Sequence, residues 1–329
     1  MKESEIRPEH LHQRYLELSA QDALLCFGND PRRDIPCVAC GSSRVEPQFE
    51  KNGFGFAICS DCRTLYQSPR PSIEAFENFY RDSVSSRYWA EEFFPAVAEA
   101  RRASIFRPRV ERLQALCAER GISVRRLIEV GSGFGIFLDE WKARSPDTEL
   151  FAIEPSKKMA AVCREKGFAV AEDIVENVKG MGGHGDLVVC FEVLEHVYDP
   201  VSFLKTLGAL VRPGGYVFIS TLGVDGFDIQ TLWEKSNSIS PPHHINFLSI
   251  EGFKKAFARA GFSDVGVTTP GKLDVDIVRN ADARDPSLLK GNRFAKTIVR
   301  DAEKGALFQK FLAENLLSSH VWVLARREF

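Results

Sequence analysis

Two groups of residues in this 329-residue chain have the types and spacing to do chemistry. The first is the glycine turn in Leu127–Gly135 (LIEVGSGFG), with Glu129 just before it and Glu154 a little over twenty residues past Gly131. Gly131, Gly133 and Gly135 leave no Cβ at the turn, so the backbone can take strained dihedrals and a ligand can approach it closely. Glu154 ends the next apolar run, where an acidic side chain can accept hydrogen bonds from both hydroxyls of a ribose. The dinucleotide fingerprint G-x-G-x-x-G sets its third glycine three positions after the second. G-S-G-F-G does not, which weakens a pyrophosphate reading and leaves an adenosyl cofactor, nicotinamide or S-adenosylmethionine, open.

The second group is Cys37, Cys40, Cys59 and Cys62, spaced C-x2-C-x18-C-x2-C. Two tight CxxC turns can place four thiolates in a closed tetrahedral shell with no position left for water, which is the pattern of a structural zinc ion. A segment of about thirty residues has too little apolar area to fold unaided, so the metal would supply the missing stability. Two disulfides are the alternative, disfavoured in a reducing cytosol. Cys26, Cys117, Cys163 and Cys190 lie in apolar or helical contexts and read as packing residues.

Downstream of the glycine turn come Asp186–His196 (DLVVCFEVLEH) and Leu210–Thr221 (LVRPGGYVFIST). In sequence, order and spacing these segments resemble the class I S-adenosylmethionine-dependent methyltransferases, from roughly Arg107 to the C-terminus. The resemblance implies a Rossmann-like α/β fold with a mostly parallel seven-stranded sheet. It puts Glu129, Gly131, Gly133 and Gly135 around the methionine part of the cofactor and Glu154 on the ribose. Glu172, Asp173 and Ile174 would lie near adenine, and Phe191 would border the cofactor at the end of the fourth strand.

A sulfonium methyl is intrinsically reactive, so such an enzyme mainly has to align an acceptor atom and exclude water. A hydroxyl acceptor must also lose its proton, and a carbon acceptor needs a base. His196, His243 and His244 are the candidate catalytic residues, with Glu192 and Glu195 alongside, because histidine ordinarily titrates near neutrality. Each could instead hydrogen-bond and shape a loop. The fourth strand ends in Cys190, Phe191, Glu192, Val193, which is neither the Asn/Asp-Pro-Pro-Tyr/Phe of the nucleic-acid amino methylases nor the Pro-Cys of the cytosine carbon methylases. A small-molecule acceptor remains, methylated on an oxygen, nitrogen or carbon atom. A zinc ribbon ahead of a methyltransferase domain also resembles the bacterial sugar methyltransferases, which implies a nucleotide-linked sugar or polysaccharide precursor. A nicotinamide oxidoreductase and a zinc-ribbon protein that modifies or binds RNA are the alternatives.

The elements that must position these residues follow from the hydrophobic pattern. Strand and helix alternate from residue 121 onward, which predicts a parallel sheet with helices on both faces. Strands are expected at 127–130, 149–153, 168–171, 186–191 and 215–221, and helices at about 136–144, 156–166, 176–180 and 200–211. Ser263–Thr269 and Val321–Arg326 alternate as strands, and the resemblance implies that they form an antiparallel hairpin at the sheet edge. Residues 270–319 form an insertion with a helix near 301–317. The chain divides into an N-terminal extension (1–36), a zinc ribbon (37–66), a helical lid or linker (67–120) and the main domain (121–329). In the extension Leu11, Tyr15, Leu18, Leu24 and Leu25 make a docking face without chemistry of its own. The aromatics Tyr88, Trp89, Phe93 and Phe94 either roof the acceptor pocket or pack on the main domain. Arg101, Arg102, Arg107, Arg109 and Arg112, interspersed with glutamates, read as a solvated helix face.

A net charge of −2 gives no global field for phosphate backbones or anionic membranes, so nucleic acid is not an expected partner. No apolar run approaches the roughly 18 residues of a membrane span, and the N-terminus MKESEIRPEH lacks the apolar core of a secretory signal. No membrane partner is expected, and the cytoplasm is the expected location.

Overall fold

The computed structural model describes residues 2–328. Four strands build a small antiparallel sheet: β1 (Val45–Lys51), β2 (Phe54–Cys59), β3 (Leu65–Gln67) and β9 (Asn246–Phe247). Seven build the main sheet: β4 (Arg126–Val130), β5 (Glu149–Ile153), β6 (Ala169–Ala171), β7 (Gly185–Phe191), β8 (Val211–Leu222), β10 (Phe262–Thr268) and β11 (His320–Arg327). Their order is β10-β11-β8-β7-β4-β5-β6, with β4 to β8 mutually parallel and β11 antiparallel to both neighbours.

All seven residues of β7 are buried, as an unbroken apolar run covered by helices on both faces requires. The chain runs from β4 outward to β6, then returns to β7 on the other side of β4. That reversal opens a crevice at the carboxyl ends of β4 and β7, where open α/β sheets take their ligands. Both the glycine turn and Glu192 emerge there.

Local chemistry sets most boundaries. The helix Ile136–Arg144 starts straight from Gly135, whose φ of +67° suits the left-handed turn. Ser72, Ser156 and Ser249 cap helices by accepting from the backbone N–H three residues on. Instead of the helix expected at 176–180 there is one 3-10 turn, Val175–Asn177, because Asp173 Oδ1 takes Ile174 N and Asn177 Nδ2 and ties the chain locally. The helical segment that carries Arg101 to Arg112 is broken by a π-helical turn at Arg102–Phe106, and a second π turn spans Trp89–Phe93. The insertion holds three helices, Asp274–Arg284, Arg293–Arg300 and Ala302–Glu314, around Val278, Val299 and Leu312. No described helix is long and apolar enough to cross a membrane.

The ribbon and the main domain share one core, in which Cys37, Cys59, Cys62 and Tyr66 pack with Ile128, Val188 and Phe253. β3 is extended by β9 from the loop after β8, pairing Tyr66 with Asn246. Helix Ile250–Arg259 lies so close that a Cβ on Gly252 would meet Thr64 Oγ1 at 2.2 Å. The N-terminal helix Glu9–Phe27 docks through Tyr15 and Leu18 onto Tyr88, Phe93 and Val97, and through Ala23 and Phe27 onto Phe76 and Phe79. Leu24 and Leu25, read above as part of that face, are 73% and 80% exposed; Ala23 and Phe27 sit on the buried side instead.

Candidate functional site

The glycine turn is shaped for close approach. Gly131, Gly133 and Gly135 have φ of +73°, +53° and +67°, which a side chain would strain, and a Cβ on Gly131 would lie 2.9 Å from Val193 Cγ2. Glu154 Oε2 accepts from Gly133 N at 2.7 Å and Oε1 from Ser156 N at 2.9 Å, so the carboxylate braces the turn. Each oxygen keeps a lone pair for a further donor such as a ribose hydroxyl. Burial pushes the Glu154 carboxyl up, and those two N–H donors oppose the rise.

Glu129 is 2% exposed and its Oε2 has no partner. Burial pushes its carboxyl well above the usual range, with Arg109 pulling it back. An orphaned buried carboxyl of this kind fits an incoming ammonium group, which would restore its charge and its hydrogen bond. Arg101 is the opposite case: its Nε and Nη1 are buried without an acceptor, its guanidinium lies over the rings of Trp89 and Phe94, and burial, then Arg7, lowers its pKa to about 9. The Phe94 ring in turn stacks on Phe134 of the glycine turn at 5.1 Å. An ammonium, a carboxylate and a ribose therefore each find a matching group, and the residues fit an adenosyl amino acid. The two remaining cofactor candidates sit differently. Asp173 is exposed and serves its own turn, while the Phe191 ring packs between Phe137 and Phe218 under the Arg109 guanidinium, which leaves little of it open to a ligand.

His196, His243 and His244 are brought together, with ring centroids 6.2 Å from His196 to His243 and 4.8 Å from His196 to His244. Glu195, His196 and His244 place their polar atoms within 4.8 Å of one another. Tyr80 reaches His196 Nδ1 at 3.4 Å. The protonation expected for these imidazoles is not what their surroundings impose. Burial holds His243 at about 3 and His244 at about 4, and it takes His196 well below the usual histidine range with help from the other two rings. All three are neutral at pH 7. His244 Nδ1 lies 2.7 Å from Ser238 O, so that nitrogen carries the hydrogen and Nε2 is the acceptor. Glu195 titrates nearest neutrality: burial, then the neighbouring Glu192 charge, pushes its carboxyl up to about 8, while Thr221 Oγ1 donates to it at 2.7 Å.

Tyr80 keeps 41% of its surface open and the Glu192 side chain 34%, yet desolvation raises the Tyr80 hydroxyl far above its ordinary value. Glu192 has a φ of +54°, a strained value for a residue with a side chain. Its Oε1 accepts from Ser220 Oγ at 2.6 Å, Arg109 Nη2 at 3.0 Å and His320 Nε2 at 3.0 Å. Burial opposes its charge, but His320 and Arg109 outweigh it and hold the carboxyl well below the usual range.

Ser220 and His320 were not singled out in the sequence, and Arg109 was read there only as part of a solvated helix face. Arg109 is 4% exposed, which corrects the solvated-face reading of 101–112 at this position and at Arg101, whereas Arg102 and Arg107 do pair with Glu140 near the surface. The available signal was position alone: Ser220 and His320 lie at opposite ends of adjacent antiparallel strands that converge on the crevice.

The four cysteines are free, and their sulfurs come together with Cys37–Cys62 and Cys40–Cys59 both at 3.5 Å. Disulfides are therefore not formed. Zinc–sulfur bonds of about 2.3 Å in a tetrahedron set sulfurs about 3.8 Å apart, so the cluster has the dimensions of that shell.

A family model described as a methyltransferase domain matches residues 98–267. The ubiquinone biosynthesis O-methyltransferase of Bordetella avium (strain 197N) is 32% identical over 160 residues, 47% of this chain and 64% of the relative. Its namesake from Escherichia fergusonii is 33% identical over 168 residues, 47% of this chain and 65% of the relative. The chain thus matches less than two thirds of the length of either. Among solved structures, the plantazolicin methyltransferase BamL is 14% identical with a TM-score of 0.50, covering 77% of this chain and 94% of that one, a likeness of fold. The strand order, the glycine turn at the switch point and a family match over just more than half of its length show that this chain belongs to the methyltransferase domain family.

Proposed function

We propose that this protein is an S-adenosylmethionine-dependent methyltransferase that methylates a hydroxyl group of a small molecule. The observation that carries the reading is the pairing of an unpartnered buried carboxyl, Glu129, and a braced glycine turn with the cluster of Glu195, His196, His243 and His244 at the crevice. When bound, S-adenosylmethionine supplies an electrophilic methyl on a sulfonium. Glu129 takes the ammonium of its amino-acid part, Arg101 the carboxylate, and Glu154 the ribose. Glu195, with its carboxyl poised at about 8, takes the proton that the acceptor hydroxyl gives up. Phe94 and Trp89 cover the turn and exclude water. Zinc at the four cysteines serves the fold and takes no part in the chemistry.

The named relatives favour an oxygen acceptor, and sugar or glycan acceptors draw no support from them. Calorimetric titration with S-adenosylhomocysteine, with NADH as the control, tests the cofactor. The wild type is expected to bind the first and not the second. Glu154→Ala should weaken binding by about 10- to 100-fold, since hydrogen bonds to a charged group contribute about 1.5–3 kcal/mol each. Tight NADH binding with none for S-adenosylhomocysteine would overturn the reading. Incubation with labelled cofactor and a panel of phenols and nucleotide sugars then identifies the acceptor class.

A further inference from the structure

His243 is joined to the N-terminal extension by a chain of polar contacts that the cofactor site does not use. Asp22, on helix Glu9–Phe27, accepts from Val84 N at 3.2 Å, from Ser85 N at 2.8 Å and from Ser85 Oγ at 2.5 Å. Ser85 Oγ lies in turn 2.8 Å from His243 Nε2. Asp22 is 2% exposed, Ser85 0% and His243 4%, so water does not compete for these contacts. The imidazole is clamped between Tyr15, at 5.2 Å, and Phe79, at 4.8 Å.

The direction of the hydrogens follows from the ends of the chain. Asp22 already takes two backbone N–H groups, which can only donate, so the serine hydrogen points to the carboxylate. Ser85 Oγ is left with lone pairs, and the contact at 2.8 Å is satisfied only if His243 Nε2 carries the hydrogen. The other ring nitrogen, Nδ1, is then a bare acceptor. No described group bonds to it, and the ring lies beside His196, with centroids 6.2 Å apart.

We propose that Asp22 and Ser85 are positioning residues that lock His243 in its Nε2–H form, so that Nδ1 offers the acceptor site a lone pair that selects substrates presenting an O–H or N–H donor beside the hydroxyl that is methylated. This rests on the methyltransferase reading and adds to it. The reacting hydroxyl has one hydrogen, which goes to Glu195, so the group that donates to Nδ1 is a second O–H or N–H of the same substrate, and an Nδ1–H would face that donor with another donor. The same geometry selects against a carbon acceptor that has no donor. It also makes the extension, which the sequence marks only as a docking helix, a part of the site. Asp22 has a second task as the N-terminal cap of the short helix Val84–Tyr88, so loss of activity in a variant would not by itself separate the two.

Nitrogen-15 NMR of the full chain, labelled on histidine and with His243 assigned by His243→Gln, reads the tautomer without any acceptor. In the wild type Nδ1 is expected at the shift of an unprotonated ring nitrogen and Nε2 at that of a protonated one. Asp22→Ala removes the carboxylate that holds the serine hydrogen, so the hydroxyl can turn toward His243 and the two ring forms should mix. Ser85→Ala should give a mixture, and Ser85→Thr, which keeps the hydroxyl, should restore the wild-type pattern. An Nδ1–H or doubly protonated His243 in the wild type, or an unchanged tautomer in both Asp22→Ala and Ser85→Ala, would overturn the proposal. S-adenosylhomocysteine titrations of the same samples keep the two ideas apart. A tautomer switch in a chain that binds no S-adenosylhomocysteine sinks the methyltransferase reading and leaves the relay standing.

Discussion

Removing the metal from the four-cysteine site, or replacing Cys62 by Ser, is expected to lower the stability of the whole chain by several kcal/mol and not merely to fray thirty residues. Cys62 is 1% exposed and belongs to the same apolar cluster as Ile128 of β4 and Val188 of β7. Ser249 Oγ donates to the Cys62 carbonyl, and Arg259 Nη1 donates to Ala39 O at 2.8 Å, so the ribbon is fastened to the helix that packs behind the central strands. Structural zinc contributes about 10–16 kcal/mol in isolated finger peptides, against a total stability of roughly 5–15 kcal/mol for a typical domain. Four unligated thiols at 3.5 Å also lose any reason to stay together. Metal analysis paired with thermal melts, with and without chelator, checks this. A protein isolated without zinc, or a chelated chain with an unchanged melting temperature, would contradict it.

Glu195→Gln is expected to reduce the turnover rate by about 10²- to 10⁴-fold, the usual contribution of a positioned acid–base group. It should also remove a limb from the pH profile. The carboxyl is protonated below about 8 and becomes the base above it, so wild-type activity should rise with pH through that value and then level. The glutamine variant should lack the rise. Stability should move in the opposite sense. A carboxyl raised in the folded state favours folding most in its neutral form, and that contribution is lost as pH climbs from the ordinary carboxylate range through about 8. Asp228, pushed to about 8 by burial and by Asp274, acts in the same direction. The wild type should therefore melt at lower temperature at pH 9 than at pH 6, and Glu195→Gln should lose less. A variant that keeps both the pH limb and the rate would rule Glu195 out as the proton acceptor.

The contrast between these residues and the histidines bears on how far a sequence can be read. Three histidines near a strand end look like the natural base because free imidazole titrates near 7. Once all three are enclosed with one another and with Phe79, Tyr15 and Tyr80, burial makes each imidazole a weak base, and Glu195 is the proton acceptor we propose in their place. The arginines of 101–112 show the same dependence. Their spacing with glutamates suits a wet helix, and it holds for Arg102 and Arg107, but two π turns reorient the segment and bury Arg109 against Glu192.

What the amino-acid order determined alone is what rests on neighbours within a few residues. The buried run of β7, the turn at Gly131–Gly135, the helix Ile136–Arg144, the strand Glu149–Ile153 and the paired cysteines are all local patterns, and they appear where the hydrophobic periods and spacings put them. Tertiary structure alone decided the joining of β9 to the ribbon, the gathering of Arg109, Ser220 and His320 on Glu192, and the reach of Asp22 to His243. These contacts link positions tens to hundreds of residues apart, and their energies come from desolvation, which a linear pattern does not carry.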